Sequence, residues 1–252
     1  MKEQRYFFEV AYDGTNYAGW QSQKNARGIQ AVIEDGLSRI LRRTVTIAGS
    51  GRTDTGVHCE QQFFHADIPL VSESDLQRKL NSFLPKDIAI HDIRKVKQDA
   101  HARFSATERS YQYRICTRKD PFADKRALYY FQDLDFPTMN AATALLAGEH
   151  DFTCFSKVKT DVNSFVCKVK LVRWKKQDNY LYFDISANRF LRGMVRAVVG
   201  TLLEVGTGKV TLKEFKTIIA SKDRKKAGAN VAPHGLYLMK VKYPANIFIK
   251  TR

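Results

Sequence analysis

The sequence predicts an α+β fold made of two halves, each ferredoxin-like in outline. Three observations carry that expectation. Strand-like and helix-like segments follow one another in two successive mixed blocks, which argues against a helical bundle or an all-β sandwich. At 252 residues and 44% apolar content, the chain can bury the core of one large domain or of two closely packed ones. The second block contains a hairpin pattern, residues 165–176 and 180–187 around Gln177-Asp178-Asn179, so antiparallel pairing is expected there. No residue-level repeat accompanies the two blocks, so the duplication is topological. A boundary near 98–106 divides the chain into an N-terminal half, 1–103, and a C-terminal half, 104–252.

Residues 6–12 are rich in aromatic and β-forming types and read as a strand, followed by turn chemistry at Asp13-Gly14-Thr15-Asn16. Ile29, Val32, Ile33, Leu37, Ile40 and Leu41 recur at helical spacing, giving an amphipathic helix to about residue 42. A short strand at 44–48, a glycine-bounded loop and a strand near 58–66 follow. Leu76, Leu80 and Phe83 mark a helix over 75–84 that stops before Pro85, and 88–96 reads as a strand.

In the second block, 107–117 is a strand with Arg109, Tyr111, Tyr113 and Ile115 on one face and Ser110, Gln112, Arg114 and Cys116 on the other. A helix over 138–147 ends at Gly148. Phe190, Leu191, Met194, Val195, Val198, Val199 and Leu202 define a strongly apolar helix to about 204. Thr211 and Glu214 form a capping box for a helix to about 220, and 235–243 is a closing strand.

The charge balance speaks to partners. Forty-two Lys and Arg against 26 Asp and Glu give +16, which favours nucleic acid first and an anionic membrane surface second. No run approaches the ~20 apolar residues of a spanning helix. The N-terminus leads into a strand without a signal-like segment, so the cytoplasm is the expected location. Cys59, Cys116, Cys154 and Cys167 lack C-x-x-C spacing and read as free packing thiols. Cys59 with His58 and His65 fits no standard zinc pattern, so no metal is expected.

The stretch Gly51-Arg52-Thr53-Asp54-Thr55-Gly56-Val57-His58 concentrates the chemistry. It sets one acid and one fixed cation in a tight turn, and Gly49, Gly51 and Gly56 supply backbone freedom. An Asp54 carboxylate kept ionised beside Arg52 is a candidate nucleophile or general base. An Asx-turn closed by Asp54, with Arg52 as its partner, satisfies the same residues. Gly49-Ser50-Gly51 does not complete a dinucleotide fingerprint, because position 54 is Asp. No Walker A loop, nucleophile elbow or H-E-x-x-H is present, so chemistry at Asp54 is expected to need no cofactor.

Arg189, Arg192 and Arg196 fall at i, i+3 and i+7 and share a stripe if the apolar helix starts early enough. Surface pairing suits Arg189 and Arg192. Arg196, well inside the apolar segment, calls for a specific carboxylate. Tyr111 reads as core or as a ring that stacks on a nucleobase. Phe104 to Arg109 places aromatic and basic side chains together, whereas Phe152 and Phe155 read as core. Lys222 to Lys226 is a solvated basic loop or a phosphate contact.

Taken together, these motifs resemble the tRNA pseudouridine synthase A (TruA) family. The Gly51 to His58 stretch is similar to the family signature. Tyr12-Asp13-Gly14-Thr15, Gly19-Trp20-Gln21, Leu80 to Pro85, Tyr111 to Ile115, Gly148 to Phe152, Phe190 to Arg196 and Ala232 to Leu238 follow in the same order. The resemblance implies the pseudouridine synthase fold, with the two halves sharing a mixed, largely antiparallel sheet flanked by helices. It implies conversion of uridine to pseudouridine at positions 38, 39 and 40 of the tRNA anticodon stem-loop, by a homodimer without metal or cofactor. It implies Asp54 as nucleophile, Tyr111 against the target base, Arg196 facing the aspartate, and Arg52 as a backbone or phosphate contact. Thr55, Cys59, Cys167 and Lys168 depart from the family pattern and bear on substrate range. A non-catalytic RNA-binding module and a small-molecule hydrolase using Asp54 as base are the rival readings.

Overall fold

A computed structural model describes residues 3–23, 25–157 and 162–249. The chain is α+β, with mixed, largely antiparallel sheet flanked by helices. It divides into two compact units, Met1–Thr107 with Tyr237–Arg252, and Glu108–Leu236. The C-terminal strand thus returns to the first unit, a connection that a division at 103/104 into two continuous halves does not contain.

In the first unit, β1 (Glu3–Tyr12) lies between β3 (His58–Pro69) and β4 (Ile88–Lys95), antiparallel to both. β2 (Ala48–Gly49) pairs antiparallel with β3, and β10 (Leu236–Lys242) joins β3 in parallel at Tyr237 and His58. Alternation along β1 buries both faces. Phe8 stacks on Phe64 at 4.6 Å between centroids. On the opposite face Phe7 meets Tyr243 edge-on at 5.0 Å, and Phe63 meets the same ring at 5.3 Å. Each buried ring of this size contributes about 2–3 kcal/mol through burial alone.

Helix α1 (Ile29–Leu41) buries Ile29, Ile33 and Leu37 at the spacing read from the sequence. Gly36 completes that face because a Cβ there would stand 3.0 Å from the Phe83 ring. Helix α2 (Glu73–Phe83) is capped by Ser72, whose hydroxyl accepts from Asp75 N–H, and buries Leu76 and Leu80. The expected strand at 44–48 shrinks to Ala48–Gly49. Val45 N–H donates to Ser38 Oγ and Ile47 N–H to Glu34 Oε1, so α1 side chains take the backbone bonds a strand would have used.

In the second unit, β5 (Glu108–Cys116), β9 (Tyr180–Ala187), β8 (Val166–Gln177) and β7 (Gly148–Asp151) pair antiparallel in that order. β6 (Leu128–Tyr129) lies parallel to β5. Helix α3 (Phe136–Ala144) covers this sheet, and Trp174 of β8 donates its indole N–H to Thr143 Oγ1 at 3.0 Å. Helix α4 (Met194–Gly206) is almost wholly buried, with Gly200 so close to the Ala229 carbonyl that a Cβ would stand 1.9 Å from its oxygen. Helix α5 (Leu212–Ser221) begins with the Thr211–Glu214 capping box expected from the sequence. Phe152 and Phe155 are fully buried, and all four cysteines are buried free thiols. Among the described residues no helix is long and apolar enough to cross a membrane.

His65 is a buried imidazole on β3 that accepts a hydrogen bond from Ala102 N–H at 3.2 Å. Burial, with Arg5 and His101 beside it, pushes its pKa down from 6.5 to about 4. The unfolded chain takes up this proton near pH 6.5, and the folded ring resists it until about pH 4. The His65 contribution to stability is therefore flat above that window and falls as pH drops through it. Arg5 also holds the Asp67 carboxyl low through paired hydrogen bonds of 2.9 and 2.6 Å. Urea midpoints measured from pH 7 down to pH 4.5 should therefore decline, and His65→Asn should flatten that decline. An unchanged slope in the variant would refute the assignment.

Candidate active site

The turn from Gly51 to Val57 connects β2 to β3, and its neighbours fix it from several directions. Ser50 N–H donates to Phe63 O at 2.7 Å, anchoring the entry. Thr53 is buried, and its hydroxyl shares a 2.8 Å hydrogen bond with Tyr12 OH. Gln62 Nε2 donates to the same phenol at 3.3 Å. Trp20 N–H donates to Thr53 O at 3.2 Å, and Val57 N–H closes the turn onto Asp54 O at 3.2 Å. Gly56 sits at φ +75°, where a side chain would be strained.

A second turn, residues 13–19, presses against this one. A Cβ on Gly14 would stand 2.0 Å from Val57 O, and one on Gly19, itself at φ +89°, would stand 2.3 Å from Thr53 O. Those two glycines are the structural content of the Tyr-Asp-Gly-Thr and Gly-Trp-Gln motifs. His58 Nδ1 lies 3.2 Å from Gly14 N and 3.1 Å from Asp13 Oδ1, so it can accept from the amide or donate to the carboxylate according to tautomer. Its ring stacks on Tyr237 at 4.6 Å, which ties the end of the loop to β10. His58 is buried, and these contacts fix its ring at the exit of the loop. The Tyr12–Thr53–Gln62 network was not read from the sequence. Strand alternation places Tyr12 and Gln62 on the sheet but does not reveal that their polar ends meet, or that Thr53 of the turn joins them.

Asp54 is half-buried at the apex of this braced turn, between buried Thr53 and exposed Thr55. A carboxylate so placed has its backbone held by the turn. Arg52 does not serve as its partner. It is exposed, and among the described residues it forms no ion pair.

In the second unit, Tyr111 of β5 is half-buried and meets Phe190 edge-to-face at 5.0 Å. Tyr113, two residues on, is a core residue whose hydroxyl donates to Ala232 O at 2.7 Å. The same strand face therefore holds one sealed and one accessible tyrosine. Arg196 lies in the first turn of α4, not well inside a longer helix, and its Nε donates to Val231 O at 2.7 Å. The helix starts late because Gly193 adopts φ +75° just before Met194. Arg189 and Arg192 consequently precede the helix, and the expected stripe of three arginines does not form. By spacing alone, Phe190, the neighbour of Tyr111, belongs to the apolar helix, which in fact begins only at Met194. Its position in the loop before Gly193 turns it towards β5.

A surface cavity of about 420 Å³ in the first unit is lined by residues such as Arg43, Thr46, His65 and Asp67, and none of the four expected site residues borders it. The braced Asp54 turn, not this cavity, carries the candidate chemistry. The resident groups there are an acid, hydroxyls, an imidazole and backbone amides. They suit nucleophilic or acid–base work.

The profile of the tRNA pseudouridine synthase family matches residues 9–105 and 142–244. The protein called tRNA pseudouridine synthase A from Porphyromonas gingivalis is 46% identical over 97% of this chain and 99% of its own length. Proteins of the same name from Bacteroides fragilis and Psychromonas ingrahamii are 45% and 39% identical, over 98% and 94% of this chain and 100% and 92% of theirs. A solved Cbf5–Nop10–Gar1 complex aligns with 78% of this chain and 54% of that chain at 11% identity and a TM-score of 0.33, a likeness too slight to bear on the site. With a family match across both units and near-full-length relatives at this identity, the chain belongs to the tRNA pseudouridine synthase family of isomerases.

Proposed function

We propose that this isomerase converts uridine to pseudouridine at positions 38, 39 and 40 of the tRNA anticodon stem-loop, with Asp54 as its nucleophile. The observation that carries the reading is the braced turn. The one acid in the family signature sits half-buried at its apex, with the backbone on either side held by hydrogen bonds and glycine contacts. A non-catalytic RNA-binding module has no need of such precision around a carboxylate, and a small-molecule hydrolase has no need of a +16 surface.

The reaction breaks the N1–C1′ glycosidic bond, turns the freed uracil, and joins C5 to C1′. The C5 proton leaves and N1 gains one, so no atoms are lost and no oxidant or reductant is required. Asp54 serves by attacking C1′ or C6, or by taking the proton. All three need an ionised carboxylate held in one place. Reaching the base requires unstacking it from the loop, at a cost of a few kcal/mol. Stacking on an aromatic ring and phosphate contacts offset that cost.

Tyr111 is assigned to the target base, because its ring is half-exposed and its angle is set by Phe190. Arg196 is assigned as the cation facing Asp54, and Arg52, being exposed, as a phosphate or backbone contact. The N-terminal half carries the catalytic loop and the C-terminal half completes the cleft. The enzyme acts as a homodimer in the cytoplasm, a setting that suits four free thiols.

Asp54→Asn should bind unmodified tRNA as wild type does and lose pseudouridine formation by roughly 10⁴-fold or more in single-turnover assays. Residual turnover near wild type would exclude the nucleophile role. Tyr111→Phe keeps the stacking ring, so tRNA affinity should hold. A fall in the single-turnover rate would assign the hydroxyl to proton transfer, and a fall in affinity would contradict the stacking role. Tyr12→Phe removes the hydrogen bonds to Thr53 and Gln62 while leaving the ring packed. It should cost about 1–3 kcal/mol of stability and lower kcat more than it raises KM. A rate equal to wild type would show that the turn holds Asp54 without this network.

A further inference from the structure

We infer that Phe104, with Arg103 laid over its ring, is a second stacking site for an unpaired nucleobase of the bound tRNA, outside the residues assigned to the reacting uridine. The inference rests on the proposed tRNA function and extends it to a part of the first unit that the chemistry does not use.

Phe104 is 75% exposed, an unfavourable position for a large apolar ring. It is nevertheless held in place. The Arg103 guanidinium carbon lies 5.5 Å from the ring centroid, and the His101 ring lies 4.5 Å away on centroids. His101 in turn meets His65 at 4.5 Å, so the exposed ring ends a short aromatic ladder rooted in β3. The chain that presents it is rigid. Ser105 N–H donates to His101 O and His101 N–H to Ser105 Oγ, both at 2.9 Å, and Arg103 N–H donates to His101 Nδ1 at 3.1 Å. Tyr243 OH donates to Ala102 O at 2.6 Å, and Thr107 N–H to Lys242 O at 2.9 Å.

The surroundings select the occupant. A fixed aromatic face with a guanidinium already placed on it matches a base and its adjoining phosphate, the pairing used to grip single-stranded and looped nucleic acid. Because the loop is pre-ordered, little conformational entropy is lost when the base arrives. The other strongly exposed rings, Phe122 at 90% and Phe131 at 74%, have no guanidinium over them among the described residues.

The test is equilibrium binding of an unmodified tRNA transcript by the full-length protein at fixed salt, together with pseudouridine yield and sedimentation. Phe104→Ala should weaken binding about tenfold or more, Phe104→Trp should restore it, and the single-turnover rate at saturating tRNA should stay at the wild-type value. Because the ring is exposed, its removal leaves no core cavity. Arg103→Ala should lower the slope of binding against salt by about one charge, whereas Phe104→Ala should leave that slope unchanged. If wild type forms pseudouridine and Phe104→Ala binds within twofold of it, the stacking site is overturned while the enzyme function stands. If wild type neither binds nor modifies tRNA, the function itself fails. If Phe104→Ala changes the oligomeric state and the affinity loss follows that change, the ring is a contact between copies and the inference is overturned.

Discussion

Two turns that approach more closely than side chains would allow are the constraint on which the candidate site depends. Residues 13–19 press on residues 53–57 with no room for a Cβ at Gly14 or Gly19. That contact lets Trp20 N–H reach Thr53 O, Gly14 N–H reach His58 Nδ1, and Gly56 N–H reach Tyr17 O. Each bond alone is worth about 1 kcal/mol. Together they leave the backbone around Asp54 few alternatives. An acid that must meet a reacting atom within a fraction of an ångström needs such a frame, because misplacement by an ångström costs orders of magnitude in rate.

The frame extends into the core rather than ending at the surface. Tyr12 is both the last residue of β1 and the hydrogen-bond partner of Thr53. His58 is the first residue of β3 and stacks on Tyr237 of β10. The strands that bury Phe8 against Phe64 thus also set where the turn begins and ends. The late return of the C-terminal strand has a similar logic. β10 and the segment after it supply Tyr243, which covers Phe7 and Phe63 and braces Ala102. Without that segment one face of the first sheet would lie open.

The second unit solves a different problem. Its long apolar helix, α4, is nearly all buried, and glycines at 200 and 206 let neighbouring chain approach it. Gly193 starts the helix late, which leaves Phe190 in a loop where it can set the angle of Tyr111. Arg196 keeps its guanidinium at the first turn of α4 through Val231 O. A half-buried tyrosine and a tethered arginine are thus presented by rigid elements, on a chain whose large positive charge suits a polyanion.

Much of this architecture is legible in the order of residues alone. Apolar periodicity located α1 and α2, and the capping box at Thr211 located α5. Alternation located β5, the turn at Gln177-Asp178-Asn179 located the β8–β9 hairpin, and the ordered motifs identified the family. These features are local, fixed by spacing of a few residues, so they survive without knowledge of distant contacts. Tertiary structure decided the rest. Whether 44–48 pairs as a strand depended on Ser38 and Glu34, brought close only by folding. The start of α4 depended on a positive φ at Gly193. The meeting of Tyr12 with Thr53 and Gln62 joins side chains 41 and 50 residues apart in sequence. Periodicity reports which face a residue occupies, but only the packed chain sets which neighbour it finds there.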